Sequence, residues 1–297
     1  MALYEGTCPM ISPDYSIKPM TRPDLDLAID WAAAAGWNPG LYDADCFYAA
    51  DPTGFLMGQL ADEPIAAISV VKYGATFGFL GLYIVKPAFR GQGYGLQLWH
   101  AGLETLKGRN VALDGVVAQQ DNYIRSGFRL AHRNIRYQGI RPTQLPDLPP
   151  SVQSSLVSLA SLPFSTVLEY DQAVFLAARS AFLKCWLAQP GSHAIGLVHH
   201  QKLAGYGVLR PCREGYKIGP LFADTPDFAE EIFLALIAQI ELGSTFYLDV
   251  PEPNSPAVTL AERYGLISVF ETARMYNQQI PPLPLERIFG VTTFELG

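Results

Sequence analysis

The stretch FGFLGLYIVKPAFRGQGYGLQLWHAGLETLKG, from Phe77 to Gly108, restricts the fold more than any other part of the chain. Phe79 to Val85 is a short run of aromatic and aliphatic residues, closed by Pro87, which lacks the N–H that a sheet ladder needs; a buried strand ends there. The following loop, RGQGYG, places glycines at 91, 93 and 95, where the backbone can take a positive φ and come close to a ligand. From Tyr94 onward Leu96, Trp99, Leu103 and Leu106 recur at helical spacing, so the loop opens onto a helix N-terminus. Unpaired amide N–H groups at the positive end of a helix dipole predict an anion site.

The missing motifs narrow the anion. The stretch has no G-x-x-x-x-G-K-[ST] and no G-x-G-x-x-G followed about 20 residues later by an acid, which argues against nucleoside triphosphates and dinucleotides. What stands here is R-x-x-G-x-G after a V-x-P strand exit, and at this point the sequence resembles the GNAT superfamily of acyl-CoA N-acyltransferases. The resemblance implies an α/β (α+β) fold with a mixed, largely antiparallel twisted sheet flanked by helices. It implies acetyl-CoA as coenzyme, its pyrophosphate on Arg90, Gly91, Gln92, Gly93, Tyr94 and Gly95, with Tyr83, Ile84 and Val85 along the strand beside it. The alternative is a tight turn that binds nothing.

Around this stretch the chain reads in order. Tyr15 to Thr21 alternates like a first strand, and Thr21-Arg-Pro-Asp caps a helix running to about Ala35. GWNPGLYDADCFYAADPTG follows, with Trp37, Asn38, Tyr42, Asp43 and Phe47 mixed among further acids. The resemblance makes these the substrate-binding side of the cleft; a packed loop with solvated acids is the other reading. Gly54 to Gln59, Pro64 to Lys72 and Phe77 to Val85 read as an antiparallel meander, Val111 to Val117 as a further strand, and Arg129 to Gly139 as a final pair of strands.

QQDNYIRSGF carries the chemistry of the resemblance. Many GNAT enzymes end a helix here with Y-x-x-x-G-F, the tyrosine giving a proton to the departing thiolate, and Tyr123 with Gly127 and Phe128 matches that spacing. Gln119 and Asn122 join Tyr123 as implied coenzyme contacts, although Val116 stands where the family usually has asparagine. A half-buried core tyrosine is the alternative for Tyr123.

Residues 141–163 are rich in proline and weakly patterned, the expected linker between an N-terminal domain at 1–140 and a second at 164–297. The second half repeats the order of the first: a helix from Asp171 to Leu187, strands at Ala194–Val198, Leu203–Leu209 and Lys217–Ala223, a helix from Pro226 to Gly243, a strand at Thr245–Val250, a helix at Ser255–Tyr264 and closing strands at 266–277. Leu248-Asp249 corresponds to Leu113-Asp114. Ala261 replaces the tyrosine, however, and Ala223–Phe228 replaces the glycine loop with Asp224 and Asp227, which would repel a pyrophosphate. The expectation is a tandem GNAT protein with one coenzyme site. Ile280 to Gly297 is too apolar for a free tail, and Phe289 to Phe294 within it is expected to add a strand or plug at the domain interface.

The implied reaction is direct attack of an amine on acetyl-CoA, with backbone N–H groups near Ile84 or Val85 polarising the thioester carbonyl. A primary alkylamine of pKa near 10.4 is neutral in only about one molecule in two thousand at pH 7, a handicap of about 4–5 kcal/mol. Phe79 to Val85 carries no acid, where superfamily members often place a glutamate; Asp43, Asp45, Asp114 and Asp249 are the candidate bases, with Asp114 and Asp249 placed beside Tyr123 as catalytic. A weakly basic acceptor needs no strong base.

The net charge of −7 argues against nucleic acid or an anionic membrane as partner. A small-molecule amine is the expected partner, for a monomer or homodimer in the cytoplasm; a non-catalytic acyl-CoA sensor and a peptide acceptor are the rivals. Cys8, Cys46, Cys185 and Cys212 show no CxxC spacing, so unpaired thiols are expected. No metal is expected, because His199 and His200 as strand neighbours would face opposite ways.

Overall fold

The computed structural model describes residues 14–146, 154–175 and 177–297; Cys8 and residues 147–153 of the expected linker lie outside them. β1 (Tyr15–Pro19) leads into α1 (Arg22–Ala34), whose N-terminus is fixed by reciprocal bonds between Thr21 and Asp24. After α2 (Asp43–Ala50), β2 (Phe55–Leu60), β3 (Glu63–Tyr73) and β4 (Phe77–Val85) form an antiparallel meander. RGQGYG then opens α3 (Tyr94–Thr105), and β5 (Asn110–Val116), the short α4 (Gln120–Arg125) and β6 (Arg129–Ile140) complete the first half.

The second half runs β7 (Ser154–Ser158), α5 (Phe164–Phe175), α6 (Ser180–Trp186), β8 (His193–His199), β9 (Lys202–Pro211), β10 (Tyr216–Ala223) and α7 (Pro226–Ile237). It closes with β11 (Thr245–Pro251), α8 (Ser255–Arg263), β12 (Ile267–Tyr276) and β13 (Ile288–Gly290). It is the same order with the loop before α7 shortened.

The two halves share one 13-stranded sheet, in the order β1-β2-β3-β4-β5-β12-β6-β11-β10-β9-β8-β7, with β13 paired to β10 off this path. Each half hands its last strand to the other: β12 lies beside β5 (Arg274 opposite Asp114), and β6 lies beside β11 (Arg136 opposite Asp249). The two exchanged strands pair with each other along the centre. One apolar cluster spans both halves, joining Leu25, Ile29 and Phe47 to Val174, Phe182 and Trp186, while α3 and α7 each pack a separate cluster on the sheet.

Four expectations are corrected. Arg129–Ile140 is one strand, not two, because its second partner is β12 from far along the chain. The 171–187 helix breaks into α5 and α6, a turn that lets Arg179 reach back to Asp171. Cys46 and Cys185 form a disulfide, with Cα atoms 5.2 Å apart, because α2 packs on α6; a pairing across 139 residues leaves no mark in local spacing. His199 and His200 do not face apart: His200 sits at φ 47° in the turn after β8, and the two rings lie 4.1 Å apart. Residues 288–297 are buried throughout.

Candidate active site

β4 and β5 run parallel only from Phe77–Leu80 and Asn110–Leu113. Beyond Leu80 they part. Leu82, at φ 45°, forms a bulge in β4 opposite a register shift in β3, an unusual conformation for a branched residue and one that turns the backbone at the mouth of the gap. The gap widens into a cleft of about 1120 Å³ that runs from the glycine loop, past Tyr123, to β12 and the C-terminal segment.

At the loop end, Gly91 and Gly93 take φ of 75° and 88°, and α3 starts at Gly93 with no side-chain cap. Its first-turn N–H groups are left to a ligand. Arg90 donates from Nε to the Val85 carbonyl at 2.9 Å, tying the loop to the strand end. A side chain at Gly95 would meet Tyr83 Oη at 2.7 Å and Val85 Cγ2 at 2.8 Å, so only glycine lets α3 close on β4. These residues suit a pyrophosphate, with Arg125, which sequence reasoning did not single out, also lining the cleft.

Of the expected coenzyme contacts, Tyr83, Ile84, Val85, Arg90, Gly91, Gly93, Gly95, Gln119, Asn122 and Tyr123 line this cleft. Gln92 and Tyr94 do not: Gln92 bonds the Ala88 carbonyl, and the Tyr94 ring packs on Tyr15 and Phe89. Asn122 links Gln119 to Arg125 through its side-chain amide. Tyr123 stacks on Trp99 with ring centroids 5.6 Å apart and lies against Gly115, whose missing side chain makes room for it. Burial, with Tyr83 adding a little, pushes the Tyr123 hydroxyl up to about 12, so it is protonated at neutral pH, as a proton donor must be.

The expected substrate residues divide. Trp37 lines the cleft. Asn38, Asp43 and Phe47 instead clamp the halves together: Asn38 exchanges two hydrogen bonds with the Glu214 backbone, Asp43 pairs with Arg210 at 2.8 Å, and Phe47 stacks on Trp186. Tyr42 is exposed and lies outside the cleft.

The candidate bases are paired, including Asp114, which lines the cleft. Asp114 accepts two bonds from Arg274, at 2.8 and 2.6 Å, and one from Asn134. Asp249 accepts two from Arg136, at 2.7 and 2.8 Å; burial pushes its carboxyl up, but Arg136, with Lys217 and Arg210, holds it below the usual range. Asp45 pairs with Arg22 at the surface. Each of the two buried carboxylates therefore holds an exchanged strand in register.

What sequence reasoning missed comes from the second half. Phe270 and Thr272 of β12, with Phe294 and Glu295 of the C-terminal segment, line the far end of the cleft. Glu295 lies over β3 and β4, its carbonyl accepting from Ser69 of β3 at 3.4 Å. A side chain at Gly81 would overlap the Glu295 backbone. Glycine therefore stands on the strand so that another segment can bring in an acid. Gly81→Ala is expected to cost about 1–3 kcal/mol by overpacking and to displace the segment. The checks are the thermal midpoint and a kcat that falls while acyl-CoA affinity holds; an unshifted midpoint would mean that the segment yields freely.

The second half's equivalent gap is filled. β13 and the residues after it lie between β10 and β11, where Val291 donates to the Asp249 carbonyl and a side chain at Gly219 would meet Thr292 O at 2.5 Å. Asp224, in place of the glycine loop, bonds Tyr170 and Arg287.

The chain is similar to known proteins in sequence and in fold. Residues 23–126 match the model of the Acetyltransferase (GNAT) family, and residues 167–290 match that of an Acetyltransferase (GNAT) domain. The chain is 30% identical over 283 residues to a holothin acyltransferase of Pseudoalteromonas sp. (strain SANK 73390), covering 95% of both. In fold it is similar to a protein of Pyrococcus horikoshii provisionally described as an acetyltransferase, at TM-score 0.80 and 22% identity over 97% of this chain and 98% of that one. It is also similar to a tandem GNAT protein from the clavulanic acid biosynthesis pathway, at TM-score 0.63 and 13% identity over 90% of this chain and all of that one. No helix among the described residues is long and apolar enough to cross a membrane. The chain is an acyltransferase of the GNAT family, built from two GNAT domains in tandem.

Proposed function

We propose that the protein is an N-acetyltransferase that moves the acetyl group of acetyl-CoA to the amine of a small molecule by direct attack. The observation that carries this reading is the single cleft joining the uncapped α3 N-terminus, the protonated Tyr123 and the end walled by the second half. Acetyl-CoA supplies an activated thioester. The loop Arg90–Gly95 and Arg125 hold its pyrophosphate, and Tyr123 carries the proton for the leaving sulfur. The far wall consists of Thr272, Phe294 and Glu295, all buried, with Trp37 and Phe270 half-buried, a depth that suits a small acceptor better than a peptide chain. The Pseudoalteromonas relative, named for acyl transfer, supports turnover over a sensing role. With a net charge of −7, the protein acts on this amine in the cytoplasm, alone or as a homodimer, without nucleic acid or membrane.

The test is thiol release from acetyl-CoA across amino acids, polyamines, aminoglycosides and arylamines. Release with one acceptor class is the expected result. Saturable acetyl-CoA binding with no release for any class would favour the sensor instead.

A further inference from the structure

Glu295 differs from every other buried carboxylate around the cleft. Asp43, Asp114 and Asp249 each receive two bonds from an arginine, whereas no described residue donates a hydrogen bond to the Glu295 carboxylate. The residue is only 4% exposed, and it borders the cleft where β4 parts from β5, on the same wall as Phe270, Phe294 and Trp37. With no donor among the described residues, the carboxylate opens onto the cleft, and the backbone packed on Gly81 holds it in place.

From this placement we infer that Glu295 accepts the proton of the attacking amine, and that the acceptor is a weakly basic amine on a flat ring which enters uncharged. The inference rests on the acyltransferase reading above. The charges that act on the Glu295 carboxyl are those of Lys217, Asp43, Arg136 and Arg210. Arg136 and Arg210 are bound to Asp249 and Asp43, and Lys217 donates to the Asn38 carbonyl. Burial, with Arg136 and Arg210 beside it, pushes the Lys217 ammonium down, and the same surroundings disfavour a further ammonium at this end of the cleft. The faces of Phe270 and Phe294 are already approached by the Arg136 guanidinium, at 5.8 and 4.8 Å, which leaves those rings to pack on an apolar body.

The step balances. The amine nitrogen bonds to the thioester carbon, its proton passes to Glu295, the C–S bond breaks, and the thiolate takes the Tyr123 proton. Both residues are then reset by exchange with solvent. Burial, opposed by Lys217 and the two arginines, pushes the Glu295 carboxyl up, which suits a group that takes up a proton from the attacking amine.

The experiment compares two isomers with acetyl-CoA: 4-methylaniline, neutral at pH 7, and benzylamine, protonated there. The expected results are acetylation of 4-methylaniline with kcat/KM at least about tenfold above that of benzylamine, and a loss of about a hundredfold or more in kcat in Glu295→Gln, with acetyl-CoA affinity unchanged. The fall in kcat on the acid side should vanish in the variant. In protein carrying 13C-labelled glutamate, one carboxyl signal absent from the variant should titrate above the usual range and move on adding 4-methylaniline. Preference for benzylamine overturns the acceptor class, and full kcat with an intact acid limb in Glu295→Gln overturns the base. If neither isomer is acetylated, the labelled signal decides: movement with 4-methylaniline on the acetyl-CoA-saturated protein supports the inference, and no movement overturns it. Failure of the wild type to bind acetyl-CoA is the separate result that ends the acyltransferase assignment of this cleft.

Discussion

Replacing Tyr123 by phenylalanine is expected to lower kcat by about two to four orders of magnitude and to leave acetyl-CoA affinity unchanged. Phenylalanine keeps the ring that stacks on Trp99 and fills the space beside Gly115, so the cleft wall persists and only the hydroxyl is lost. That hydroxyl stays protonated until about pH 12 in its buried setting, so between neutrality and pH 10 the wild type should show no loss of rate from its ionisation. Parallel kinetics and calorimetric titration would separate the two roles. Equal losses in kcat and affinity would show that the tyrosine only packs.

The second large effect lies away from the chemistry. Arg179→Met should destabilise the protein by about 3–5 kcal/mol, read from urea unfolding. Arg179 is buried and donates two bonds to Asp171, at 2.9 and 2.7 Å, while the Tyr206 hydroxyl donates to the same carboxylate. Losing the guanidinium strands a buried charge. The same guanidinium bonds Thr292 Oγ1 at 2.9 Å and Gly297 O at 3.3 Å, so it anchors the segment that carries Glu295. Activity should therefore fall at temperatures where the variant is still folded. Pairing the change with Asp171→Leu should restore part of the stability, since the stranded charge is then gone, but not the activity. Recovery of both would sever the link between this ion pair and the segment.

The loop, the helix after it and Tyr123 were legible in the sequence because their signals are local. A glycine run between a strand and a helix states its own geometry, and Y-x-x-x-G-F spans six residues. The acceptor end was not legible, because its wall comes from β12 and the C-terminal segment, more than 140 residues beyond Tyr123 in the chain, and such non-local contacts leave no local signal. Asp43 and Asp249 looked like bases because an acid near a cleft looks the same whether it is free or paired. Only the positions of Arg210 and Arg136, on other strands, decide that. Cys46 and Cys185 failed for the same reason: their meeting depends on how α2 lies on α6.

The exchange of β6 and β12 also bears on how the protein is made. The glycine loop and Tyr123 leave the ribosome early, yet the strand that belongs beside β5 arrives only with residues 267–276. Until then the nascent first half carries an unpaired strand edge and an unneutralised Asp114, a state open to wrong pairing with another chain. Synthesis rate and chaperone supply should therefore govern the soluble yield, and fragments cut after residue 140 should be captured by a separately expressed second half.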